Sequence, residues 1–256
     1  MNKLKKELLS GKPIIGCIIT LNDPRVVEQV QVMDYVWIDM EHSPKDCRDV
    51  DAQILAAKAY GLYSLVRVPS HDPADAKRIL EMGPDGIIFP NVVTVEEAEK
   101  VMKACIYPPQ GFRGYGPQRA QNFGYTSQKQ YLQEATDAVC RIIQVEDIKC
   151  VENLEKILKV PFVDACFIGL HDLSGSIGQL GEPMGKDTVA LCEIAIKKCK
   201  DAGIPIGLGG FSGLNLKDMQ LWVDKGFRFF VLGCDFDFIA YGAKLCVENM
   251  KIACKQ

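Results

Sequence analysis

Eight short apolar runs recur from one end of the chain to the other, each separated from the next by a longer stretch. They fall at 13–20, 34–39, 64–68, 86–90, 139–146, 162–169, 205–210 and 227–233. Most are nearly continuous in Val, Ile, Leu and Phe, without the polar alternation of a strand that has one wet face. Such runs suit parallel strands covered on both sides. Between them, amphipathic spacing predicts helices over 47–60, 73–82, 94–105, 147–158, 186–202 and 215–225. Gly61, Gly83, Gly203 and Gly226 follow four of these as stop signals.

Eight such strands with helices between them, in 256 residues with no break in composition, favour a single (β/α)8 TIM barrel spanning 1–256. A doubly wound open sheet would want a GxGxxG turn after an early strand, and the first turns offer none. "GFRGYG" at 111–116 lies instead in the longest interruption, "YPPQGFRGYGPQRAQNFGY" at 107–125. A loop of that length is expected to be ordered, folding over the barrel mouth or packing on a neighbouring subunit.

Composition narrows the partners. A net charge of −3, with both signs interspersed, leaves no basic stripe for nucleic acid or an anionic membrane. The N-terminus lacks a secretory apolar stretch, and no segment approaches the ~20 apolar residues of a membrane span. The 11 cysteines are scattered without a CxxC pair, which reads as buried, reduced thiols in a cytoplasmic protein. A small-molecule partner is what these exclusions leave.

Barrel enzymes carry their reactive groups at the C-terminal ends of the strands. Those ends are rich in ionisable residues here. The second run closes in "IDMEHSP", with Asp39, Glu41 and His42; the third carries Arg67 and is followed by His71. The fifth ends in Gln144, Glu146 and Asp147, and the sixth leads into His171 and Asp172. Plainer readings exist: Arg67 could pair with Glu146 merely to fill the barrel, Asp172 could cap a helical turn, and His71 belongs to a helix start. Taken together, however, the set suits metal-assisted chemistry. Glu146 and Asp172 on neighbouring strands can hold a hard divalent cation, Mg2+ or Mn2+ with Co2+ also possible. Arg67 offers a fixed fork to a developing oxyanion, and His42, oriented by Asp39, is the candidate base. No predicted strand contains a lysine, so a Schiff-base route has no obvious nucleophile.

With these residues named, the chain resembles the HpcH/HpaI family of class II pyruvate aldolases over nearly its whole length. The likeness rests on "DYVWIDMEHSP" (34–44), "LVRVPSHDPADAKRILEMGPDGIIFP" (65–90), "YPPQGFRGYGPQRA" (107–120), "IIQVED" (142–147) and "FIGLHDLSGSIG" (167–178). The resemblance implies a barrel in which Glu146 and Asp172 bind the metal, Arg67 steadies an enolate and His42 acts as acid/base. It implies that Glu81 is the carboxylate partnering that histidine, and that Gln144 with His171–Asp172 holds pyruvate. The implied reaction is reversible cleavage of a 4-hydroxy-2-oxo acid to pyruvate and an aldehyde. Oxaloacetate-type decarboxylation and non-catalytic 2-oxo-acid binding are the alternatives. It also implies a homohexamer, with a C-terminal helix at about 236–255 exchanged between subunits. Three departures stand out. Met40 replaces a usual glycine and is expected to crowd the site. Leu170-His171 stand where small residues or proline are usual. Pro117 stands where a serine near the substrate carboxylate is usual.

Overall fold

The computed structural model of the chain describes residues 2–254. Eight parallel strands close into a barrel in strict chain order: β1 (Ile14–Ile19), β2 (Tyr35–Asp39), β3 (Tyr63–Arg67), β4 (Gly86–Phe89), β5 (Cys140–Val145), β6 (Ala165–Gly169), β7 (Ile206–Gly209) and β8 (Phe229–Cys234). Each lies within the run that predicted it, apart from β3, which begins one residue earlier, and β8, which ends one residue later. β8 pairs with β1, Ile14 opposite Phe229, so no strand edge is left open.

The apolar residues divide into two cores because successive strand residues face opposite sides. One set, including Cys17, Val36, Ile38, Val66 and Ile143, packs against the surrounding helices. The other fills the barrel: Tyr35, Trp37, Leu65, Ile88, Phe167 and Phe229, closed from below by Leu4 and Leu8 of an N-terminal helix, Lys3–Leu9. The large rings fit because glycine faces them. A Cβ on Gly207 would stand 2.4 Å from the Phe167 ring and 2.5 Å from that of Phe229. Phe229, Phe167 and Trp37 stack edge to face through the interior, with centroids 5.1 and 4.8 Å apart.

Helix starts are locally encoded. Asp46 and Asp49 form a capping box on helix Cys47–Tyr60, and Asp72 caps helix Pro73–Met82 with proline in its first turn. Asp235, at the head of the last helix, accepts from Thr20 N (2.8 Å), Thr20 Oγ1 (2.7 Å) and Leu21 N (2.9 Å), tying the chain's end to its beginning.

One expectation changes. The 107–125 segment does not fold over the mouth but runs along the outer wall, where Arg119 ion-pairs with Asp51 at 2.9 Å and Ala120 lies against Gly83. Having left the helix that ends at Ala104, it starts from the far end of the barrel, and Pro117 goes with it. The C-terminal helix, Asp235–Ala253, is largely exposed: Asp235 is its one buried residue, and Phe238 packs against the helix-side core. Phe236, Ile239, Tyr241, Leu245, Val247, Met250 and Ile252 are exposed. Residue 255, the expected helix end, lies outside the described residues. Among those described, no helix is long and apolar enough to cross a membrane.

Candidate active site

Strand parity decides which polar side chains meet. Tyr35, Trp37 and Asp39 alternate on the inner face of β2, and Leu65 and Arg67 do so on β3. Asp39 and Arg67 are register partners at the top of that ladder. The Asp39 carboxylate accepts from Arg67 Nε and Nη2, each at 2.8 Å, with both side chains almost wholly buried. Trp37, one layer below, places its ring 5.3 Å from the guanidinium carbon. The third nitrogen, Nη1, lies 2.9 Å from Glu41 Oε2 and donates to Gln144 Oε1 at 3.4 Å. Burial works against the arginine's charge, but bonding to Asp39 and the nearby charges of Asp39, Glu41 and Glu146 prevail and raise its pKa.

From Gln144 the network continues to Glu146, whose Oε2 accepts from Gln144 Nε2. Its other oxygen accepts from Asn91 N at 2.6 Å, with Asn91 at φ 48°, a left-handed conformation that asparagine tolerates. Gly169 leaves the necessary room: a Cβ there would stand 3.0 Å from both Gln144 Nε2 and Glu146 Oε2. Burial, together with the negative charges of Asp172 and Glu41, pushes the Glu146 carboxyl up to about 7 against the pull of the Asn91 N–H and Arg67. Asp172 is exposed in the first turn of helix Leu170–Ser176 and faces the same space.

These groups surround a cavity of about 330 Å3 at the C-terminal end of the barrel, lined by His42, Arg67, Gln144, His171 and Asp172 among others. Ile18, His171, Gly210 and Val231 also line an adjoining cavity of about 760 Å3 that runs towards the start of the last helix. Neither nitrogen of the His171 ring bonds to protein among the described residues.

Four expectations need correction. Asp39 does not orient His42, because both of its oxygens are committed to Arg67. His42, with a side chain 64% exposed, lies 3.6 Å from Glu41 Oε2 instead. Glu41, to which the sequence assigns no role, is therefore part of the network; burial raises its carboxyl against the pull of Arg67 and His42. Glu81 does not meet His42 within one chain, but lines a separate cleft on the outer wall with Asp51, Arg78 and Arg119. Met40 does not crowd the cavity: its side chain packs outward against the helix-side core. Leu170 and His171 line the cavity, while the His71 ring is occupied by Pro90 O at 2.6 Å. Among the described residues, no group of three or more His, Cys, Asp or Glu is disposed to hold a metal ion.

The profile of the family described as HpcH/HpaI aldolase/citrate lyase matches residues 15–240, which includes all eight strands. The chain belongs to that family. A hydroxypyruvate/pyruvate aldolase of Roseobacter denitrificans is 34% identical over 255 residues, 98% of each chain. A 4-hydroxy-2-oxovalerate aldolase of Rhodococcus jostii is 37% identical over 206 residues, 79% of each. Among solved structures, an HpcH/HpaI aldolase/citrate lyase family protein from Burkholderia cenocepacia superposes with a TM-score of 0.90 at 28% identity, covering 98% of this chain and all of that one. The barrel architecture and the enzymatic class, a carbon–carbon lyase of the aldolase kind, follow with the family.

Proposed function

We propose that this HpcH/HpaI protein is a divalent-metal-dependent pyruvate aldolase, cleaving a 4-hydroxy-2-oxo acid reversibly to pyruvate and an aldehyde. The supporting observation is the pairing of a buried guanidinium locked by Asp39 with an electronegative cluster of Glu146, Asp172 and Glu41. A carboxyl pushed up by burial, and further by the negative charges of Asp172 and Glu41, is a site that a cation would relieve. The donors are hard oxygens, and two carboxylates with the rest of the shell left to water and substrate is the usual arrangement for Mg2+, with Mn2+ and Co2+ as substitutes. When bound, the metal supplies Lewis-acid polarisation of the 2-oxo group.

The protein's own groups do the rest. Arg67, immobilised on one side by Asp39, keeps its Nη1 edge towards the cavity, where negative charge develops at the enolate oxygen. Gln144 and the start of helix Leu170–Ser176 position the pyruvate portion. His42, exposed at the rim beside Glu41, takes the proton from the C4 hydroxyl on cleavage and returns it on condensation. The aldehyde portion extends past His171 into the adjoining cavity. The assembly we propose is a homohexamer built from pairs that exchange C-terminal helices, which would cover the apolar face of residues 235–253. Eleven cysteines with no disulfide suit a reducing cytoplasm.

The test is product analysis of purified protein with 4-hydroxy-2-oxo acids of several chain lengths and with oxaloacetate, each with added Mg2+, Mn2+ or Co2+ and with chelator. Pyruvate with stoichiometric aldehyde, lost on chelation, is the expected result. Pyruvate from oxaloacetate alone would replace the aldolase by a decarboxylase. Binding of pyruvate without turnover of any substrate would remove the catalytic reading.

A further inference from the structure

At the opposite end of the barrel from the candidate active site, where β7 and β8 begin, lies a second cavity of about 550 Å3. That is within the range of pockets that enclose small organic ligands. Its walls are apolar: Leu8 from the N-terminal helix, Ile196, Ile204, Pro205, and the opening strand residues Ile206 and Phe229. Its rim is basic. Lys12, Lys197, Lys200, Lys225 and Arg228 line it, and no acidic residue is among the lining. Two of the five have acidic partners outside it: Lys225 pairs with Glu193, and Lys197 lies 3.8 Å from Asp201. Lys12 and Lys200 make no ion pair among the described residues. Arg228 donates to the carbonyl oxygens of Val223 (2.9 Å) and Phe227 (2.6 Å), contacts that leave its charge uncompensated.

An apolar chamber with a purely cationic rim is complementary to a molecule with an apolar body and one anionic head. We propose that this floor cavity binds a small organic acid with an apolar chain, its carboxylate held by Lys12, Lys200 and Arg228. Burying the chain against Ile196, Ile204 and Pro205 contributes roughly 25 cal/mol per Å2 of apolar surface. The charged hydrogen bonds at the rim fix which end stays outermost. An inorganic anion would use the rim and leave the walls idle; a neutral alkane chain would do the reverse. The site shares no lining residue with the mouth cavity, and its occupant need not be a substrate.

Calorimetry on the purified protein tests this with octanoate, octanol and inorganic phosphate as probes. Octanoate is expected to bind once per chain, with octanol and phosphate each at least tenfold weaker. Lys12→Glu combined with Lys200→Glu, both exposed positions, should weaken octanoate at least tenfold with the circular dichroism unchanged. Ile196→Trp, filling the chamber from its wall, should abolish the same heat. Absence of octanoate binding overturns the proposal, as does binding unaffected by the charge reversals, or octanol or phosphate binding as tightly.

Discussion

Asp39 holds Arg67 with both carboxylate oxygens, each 2.8 Å from a guanidinium nitrogen, across adjacent register positions of β2 and β3. The pair fixes the arginine's plane before any substrate arrives. Asp39→Asn keeps the shape but replaces one acceptor oxygen with a donor. It should lower kcat/KM for aldol cleavage about 10²–10³-fold, the usual loss when a charge-stabilising contact is misplaced. The stability loss should be about 3 kcal/mol, the low end for a broken buried pair because Glu41 still faces the guanidinium. Steady-state kinetics and denaturant titration check the two effects separately.

Gly169→Ala isolates the seat of Glu146. The new methyl group would meet Gln144 Nε2 and Glu146 Oε2 at 3.0 Å, tighter than ordinary packing allows. The carboxylate must move while the surrounding fold keeps its contacts. Metal affinity, read by Mn2+ titration, should fall about tenfold or more, the scale seen when a supporting contact to a ligand is disturbed. The unfolding midpoint should change little.

The Glu146 carboxyl also gives the metal-free protein a pH dependence of defined sign. Its folded value, about 7, lies above the ordinary 4.5. Between those limits the folded chain holds a proton that the unfolded chain has released. The stability from this group is thus complete below the lower value and lost as pH rises through the upper one. In chelator-treated protein, Tm should decline between about pH 5 and pH 8, and Glu146→Gln should flatten that decline. A wild-type Tm that rises across the window through this group would contradict the assignment.

Gly207→Ala addresses the barrel interior rather than the site. Its Cβ would enter between two rings at 2.4–2.5 Å, with neither ring free to withdraw. Overpacking of this kind typically costs about 1–3 kcal/mol, and the denaturant midpoint should fall accordingly or the soluble yield collapse.

The exposed face of the last helix supplies the test of assembly. Ile239→Lys with Leu245→Lys places two charges on a face that is exposed in the single chain. Light scattering should show a species of lower mass than the wild type, with the barrel's circular dichroism retained. An unchanged mass would place the subunit interface elsewhere.

How much of this was readable in the sequence depends on the range of the interactions involved. The strands were legible because burial on both faces writes itself as uninterrupted Val, Ile and Phe. Arg67, Gln144 and Glu146 were legible as polar interruptions at the ends of such runs. His42's dependence on Asp39 was misread, since three residues of separation suggested a pair. The competing guanidinium 28 residues away offers two aligned donors and no need to protonate. Counting parity along β2 would have recovered Glu41, two positions beyond Asp39, and turned Met40 outward. Glu81 could not be placed that way, because its helix ends on the outer wall and nothing in one chain brings it to the mouth.

The bonds from Asp235 to Thr20 and Leu21 join residues about 215 positions apart, at the seam where β8 meets β1. During synthesis β1 waits with one edge unpaired until β8 has left the ribosome, roughly 10–40 s later at ~5–20 residues per second. For that interval the nascent chain presents an open template to other nascent chains. The last thirty residues are therefore a timing device as much as a structural element. Slow codons near the end of the message would cost this protein more soluble yield than the same codons near its start.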